Sequence, residues 1–163
     1  LKKLFMGIHA VRFDKQQKHI EEISSLEGET VKLLSPVEIK VEVEDWLHDL
    51  DVEMKRTLKQ HLIGCVDKLD VSLYASQILC TCEQIHFTRK TEEAMTGDPA
   101  KGGMQAHRAS LAQQLKDLTS FSAANTDEVL GLKLRALIMD LIHSIEVVDM
   151  LIKENVTNTS DWL

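Results

Sequence analysis

From Glu44 onward, apolar residues recur at steps of three and four: Trp46, Leu47, Leu50, Met54, Leu58, Leu62, Cys65, Val66 and Leu69. That period places them on one side of an α-helix and excludes a strand over the same stretch. Glu42, Glu44 and Asp45 stand at its start, where negative charge complements the helix dipole. At about 1.5 Å per residue, roughly 26 residues make a rod roughly 39 Å long. A single apolar stripe of that length makes a clear amphipathic helix.

Almost everything after this helix reads as helical too. A second helix is predicted over Ser76–Met95, with Ile78, Leu79, Cys82, Ile85 and Phe87 inward, after a short connection at Asp70-Val71-Ser72. The loop "TGDPAKGG" (96–103) has dense turn chemistry, and a more polar helix follows from Met104 to Phe121 with Leu111, Leu115 and Leu118. Ser122–Asn125 reads as a linker, and Thr126 as the cap of the last long helix, with Asp127 and Glu128 behind it. There Leu130, Leu134, Leu137, Ile138, Leu141, Ile142, Ile145, Val148 and Leu151 cover more than one face, which predicts a central helix. Asn155 is placed to end it, because Asn tolerates the left-handed conformation.

Residues 10–40 have a different pattern. Leu1, Leu4, Phe5 and Ile8 keep helical spacing, so 1–9 reads as the tail of a helix, with Gly7 marking fraying or a close packing point. Val11 and Phe13 then alternate around Arg12, "DKQQK" makes a polar turn, and Ile20–Leu26 and Thr30–Leu34 are strand candidates. Gly28 between them can supply a positive φ. Glu21 and Glu22, side by side, spoil the alternation, and Ser35-Pro36 is expected to break the last strand, since proline has no amide hydrogen. The predicted fold is mainly α: one domain over 1–163, with a β-hairpin or three-stranded antiparallel meander at 10–40 and a bundle of about four long helices at 41–163.

The formal net charge of -7 argues against a nucleic-acid surface, which needs clustered Lys and Arg. No apolar run approaches the roughly 20 residues that span a bilayer, and "LKKLFMGIHA" lacks the apolar core of a signal peptide. The sequence starts at Leu1 without a methionine and stops at "TSDWL", where Thr159 or Ser160 resembles a helix cap; a piece of a longer polypeptide is expected.

Four arrangements invite a chemical reading. Cys80 and Cys82 are two apart, and on a helix such residues point in different directions, so they do not easily share a zinc ion. Reduced structural thiols are the better reading. His61 and Cys65 are at i and i+4, a spacing that suits a metal or a thiolate pair, but Cys65 falls on the apolar stripe and no third group is evident. Glu92 with Glu93, and Asp45 with Asp49, are paired carboxylates that nothing in the sequence desolvates. Asp51–Lys55 and Glu53–Thr57 read as ordinary helix-surface pairs. Segment 96–103 has glycines and a lysine but neither G-x-x-x-x-G-K-[ST] nor G-x-G-x-x-G, so a nucleotide site is not expected there. No catalytic, cofactor-binding or metal-binding residue is assigned.

The order of phrases carries more. "LKKLFMGIHAVRFD", "ISSLEGETVKL", "VEDWLHDLDVEMKRTL", "LYASQILCTCEQIHFT", "LKLRALIMDLIHSIEVVDMLI" and the final "DWL" resemble, in this order, the C-terminal part of the linker region of dynein heavy chains. The resemblance covers nearly the whole chain. "SQILCTCEQIHFT" and "LKLRALIMDLIHSIEVV" look most like the cytoplasmic dynein 2 branch, that of retrograde intraflagellar transport. Ala75 departs from the family, whose members usually carry proline after the tyrosine, and 96–103 is also individual. The resemblance implies a mostly helical arm that lies across an AAA+ ring and moves with the nucleotide cycle. It implies ATP and magnesium bound elsewhere in the parent chain, microtubules and other dynein subunits as partners of the parent, and a cytoplasmic, cytoskeletal and ciliary location. A freestanding helical adaptor is the alternative, and an enzyme built on His61 and Cys65 comes third.

Overall fold

The computed structural model describes residues 7–97 and 103–157. Three strands come first, β1 (Ala10–Phe13), β2 (His19–Ser24) and β3 (Thr30–Glu38). Four helices follow, α1 (Val43–Asp67), α2 (Ser76–Thr96), α3 (Gly103–Ala124) and α4 (Glu128–Lys153). The chain divides into two compact units, Leu1–Ile78 and Leu79–Leu163, with the division inside α2. The mainly helical class with an N-terminal antiparallel meander is as predicted. The expected helix tail over 1–9 falls mostly outside the described residues, and its last positions are not helical. Gly7 is in a turn with open space around its Cα, and the His9 amide already donates to the Ser24 carbonyl at 2.8 Å.

In the first unit the sheet order is β1-β2-β3, antiparallel throughout. Two irregularities shape it. Arg12 pairs with Glu22 but Phe13 with Ile20, so Glu21 is an extra residue on β2, a bulge. The bulge explains why Ile20 and Ile23, three apart, are both buried: one inserted residue restores the inward face after an odd step. It also explains the adjacent glutamates, which Arg12 grips together, at 2.9 Å to Glu21 and 3.1 Å to Glu22.

The second irregularity overturns the expectation that Pro36 ends β3. The strand continues to Glu38, pairing Val37 with Ile20 on one side of the break and Lys32 with Glu22 on the other. Pro36 lies in the unpaired stretch between, where it has no ladder bond to lose. The turns behave as their residues dictate. Gly28 has φ +90°, and the Asp14 carboxylate accepts from the Lys18 and His19 amides and meets the His19 ring at 2.8 Å.

Ile8, Ile20, Ile23, Leu33, Val37 and Leu50 form the core of this unit, with Val11, Val31, Trp46 and Met54 packed against it. Thus α1 contributes the first half of its stripe to the sheet. Cys65 is also fully buried, whereas Leu58, Leu62, Val66 and Leu69 are half-buried.

In the second unit α3 runs on to Ala124, past the predicted linker, because Ser122-Ala123-Ala124 has no helix breaker. Asp127, not Thr126, caps α4: its carboxylate accepts from the Leu130 amide at 2.7 Å, while Asn125 holds the Asp127 backbone at both ends. Asn155 follows the helix with φ 53°, as expected. Leu111, Leu141, Ile145 and Val148 form a core cluster, covered by Phe87, Met104, Leu115 and Ile152. Arg108 clasps Asp149 across α3 and α4 with bonds of 3.0 and 3.1 Å, an exposed pair.

His107 is the polar member of this interior. Its Nε2 lies 3.0 Å from the Thr91 hydroxyl, and its ring stacks on Phe87 at 6.0 Å. Burial, aided by the charge of Lys90, pushes its pKa below the ordinary 6.5. The unfolded chain therefore takes up a proton that the folded chain refuses, and stability is lost as pH falls through 6.5 towards the depressed folded value. His107→Gln, which keeps a partner for Thr91, should flatten the dependence of the urea midpoint on pH between about 7.5 and 5.5. An unchanged dependence in the variant would exclude His107 as its source.

Candidate functional site

Each sequence candidate for chemistry has its own setting in the fold. Cys65 and Cys82 are buried, Cys80 half-buried, and none of the three is in a disulfide. His61 meets Tyr74 edge-on at 5.9 Å. Glu92 and Glu93 are exposed, Asp45 is exposed, and Asp49 pairs with Lys40 at 2.6 Å. Asp51–Lys55 is a surface pair at 2.7 Å, as expected. Of the 96–103 loop, 98–102 lie outside the described residues. Among the described residues, no group of three or more His, Cys, Asp or Glu side chains is placed to hold a metal ion. No helix among them is long and apolar enough to cross a membrane.

The strongest constellation is instead a joint between the ribbon and α1. Glu53–Thr57, expected on the helix surface, is its centre, and Thr57 is fully buried. The break in β3 leaves the Leu34 and Ser35 amides without strand partners, and α1 takes both. Leu34 N–H donates to Thr57 Oγ1 at 3.1 Å, and Ser35 N–H to Glu53 Oε1 at 2.7 Å. The Thr57 hydroxyl donates onward to Glu53 Oε1 at 3.3 Å. Arg56 closes the group with bonds of 2.9 and 3.0 Å to the Glu53 carboxylate and 2.6 Å to the Ser35 hydroxyl.

Burial pushes the Glu53 carboxyl up, but the bonds from Arg56, Ser35 and Thr57 outweigh it and leave the pKa below its ordinary 4.5. The carboxylate is thus held charged where the strand is interrupted. Sequence spacing makes Glu53 and Thr57 look like helix-surface polar residues; the interrupted strand β3 laid across them turns them inward.

A second tie joins the ribbon to the start of α2. Glu29, in the turn after Gly28, accepts from the Ser76 amide at 2.9 Å and the Ser76 hydroxyl at 2.6 Å. A carboxylate there satisfies an open amide and complements the positive end of the helix dipole. The connection before it is also tightened: Asp70 accepts from the Ser72 amide, and a Cβ at Gly64 would stand 2.8 Å from the Tyr74 hydroxyl. The ribbon, α1 and the first turn of α2 are therefore fixed by directional bonds as well as apolar packing. These bonds fix the orientation of the ribbon against α1 and the start of α2.

Known proteins are similar to this chain along its length. The family model "Dynein heavy chain, N-terminal region 2" matches residues 1–65. Cytoplasmic dynein 2 heavy chain 1 of Tripneustes gratilla is 45% identical over 179 aligned residues, covering 100% of this chain. Its counterpart from Homo sapiens is 43% identical over 172 residues, covering 99%. The dynein-1-beta heavy chain of the flagellar inner arm I1 complex of Chlamydomonas reinhardtii is 27% identical over 175 residues. The chain spans 4% of the length of each of these relatives. With the joint, the meander and the helices all lying inside a match that runs from end to end, the chain belongs to the dynein heavy chain family.

Proposed function

We propose that this chain is part of the linker of a cytoplasmic dynein 2 heavy chain, the mechanical arm that moves over the AAA+ ring during retrograde intraflagellar transport. The observation that carries the reading is the identity of 43–45% to cytoplasmic dynein 2 heavy chains across 99–100% of the chain. The physical contribution of the segment is stiffness. Packed helices and a bonded ribbon resist continuous deformation, so displacement concentrates at the ends of such a block. In this reading the segment supplies no catalytic groups. ATP and magnesium act in the ring of the same heavy chain, and microtubules and the other dynein subunits, in the cytoplasm and cilium, are partners of the whole motor.

The test is a microtubule-gliding assay of the whole motor carrying Glu53→Gln with Thr57→Val, which loosens the joint while keeping side-chain size. Gliding should slow while ATP hydrolysis by the motor continues. Gliding at the unaltered speed would remove the mechanical role of the joint. Saturable ATP hydrolysis by the purified 163-residue chain would count against the whole reading.

A further inference from the structure

A cavity of about 320 Å³ opens between α2 and α4 within the second unit. Phe87 from α2 and Val147 from α4 give it apolar walls, and Thr88 and Ser144 add hydroxyls. Asp140 also lines it and is the one carboxylate among its described lining residues, while His143 is an exposed imidazole that faces Glu146 at 3.9 Å. The Asp140 carboxylate is incompletely satisfied: Oδ2 is shielded from solvent and has no hydrogen-bond partner among the described residues. Native structures leave few such oxygens, because a buried acceptor without a donor forfeits its hydration for nothing. The carboxylate torsion of an aspartate is soft, so either oxygen can turn to a group entering the cavity.

The lining selects the entrant. An anion is repelled by Asp140, and a purely apolar group would bury that carboxylate further without pairing it. A side chain with a methylene stem and a cationic head suits both features: the stem lies against Phe87 and Val147, and the head meets Asp140. Arginine fits better than lysine, since its fork can bond the carboxylate and the Thr88 or Ser144 hydroxyl together. We infer that the α2–α4 cavity is a docking socket for an arginine side chain presented by another segment of the same heavy chain. The inference rests on the linker reading above, which places this segment within a much longer chain, as does its 4% share of its relatives' length. The net charge of -7 favours a basic counterpart as well.

The experiment uses the whole motor with a photo-crosslinking amino acid at Thr88, on the cavity wall. Irradiation should give an adduct to an arginine-bearing peptide of the same heavy chain. Asp140→Asn should cut its yield about tenfold or more, the effect of removing one partner of a desolvated charge pair. Reversing the pair, with Asp140→Arg and glutamate at the captured arginine, should restore it. The proposal fails if no adduct forms, if the captured peptide lacks a basic residue, or if it belongs to a different polypeptide. It fails equally if Asp140→Asn leaves the yield unchanged. Because gliding and crosslinking are read separately, loss of the socket would leave the mechanical reading standing.

Discussion

Leu50→Ala is expected to lower the stability of the first unit by about 2–5 kcal/mol, the range for a buried leucine truncated in a packed core. Leu50 is fully buried, in one core with Ile20, Ile23, Leu33 and Val37. It is the α1 residue at the middle of that cluster, so its loss opens a cavity exactly where helix and sheet meet; rigid strands tied to α1 by hydrogen bonds cannot collapse fully into the space. With domain stabilities of about 5–15 kcal/mol, such a loss is a large fraction of the whole. A urea titration of the chain, followed by tryptophan fluorescence, checks it, because Trp46 packs against the same cluster. A midpoint within error of the parent would mean that sheet and helix do not share a core. Val52→Ala, on the exposed face of the same helix, should leave the midpoint nearly unchanged.

The same contrast between faces explains what could be read from the sequence. Helical periodicity survives almost any packing, so α1 to α4 were legible, with ends uncertain by a few residues. The breaks in the sheet were legible only in hindsight. Ile20 and Ile23 at an odd spacing, and two adjacent glutamates, are what a bulge looks like in sequence, but alternation alone cannot tell a bulge from a poor strand. Pro36 was a true signal of lost pairing, yet the strand resumes after it because the open amides at Leu34 and Ser35 find acceptors on α1. Asp127 displaced Thr126 as the cap through a local choice that Asn125 decides. The joint itself was misread for a stronger reason. Glu53 and Thr57 have the composition of a wet helix face, and their burial depends on a segment more than 15 residues earlier. The cavity beside Asp140 needs the pairing of α2 with α4 and has no sequence signature.

Glu53→Ala should cost about 2–3 kcal/mol, because it leaves the Ser35 amide without its acceptor and releases Arg56. Arg56→Ala should cost less: the guanidinium is half-exposed, and the bonds that remain on Glu53 come from the strand and from Thr57. A double-mutant cycle separates the two contributions, since removing both side chains leaves no charge to be penalised. The carboxylate also carries a pH signature. Its pKa lies below 4.5 in the folded chain, so its stabilising contribution is complete above that value and is lost as pH falls through the folded pKa. Glu53→Gln should therefore weaken the acid dependence of unfolding in that range while leaving the dependence near pH 6.5 to His107. Urea midpoints from about pH 7 to pH 3 read both limbs in one series. An unaltered acid limb in Glu53→Gln would show that the joint holds the ribbon without needing its charge.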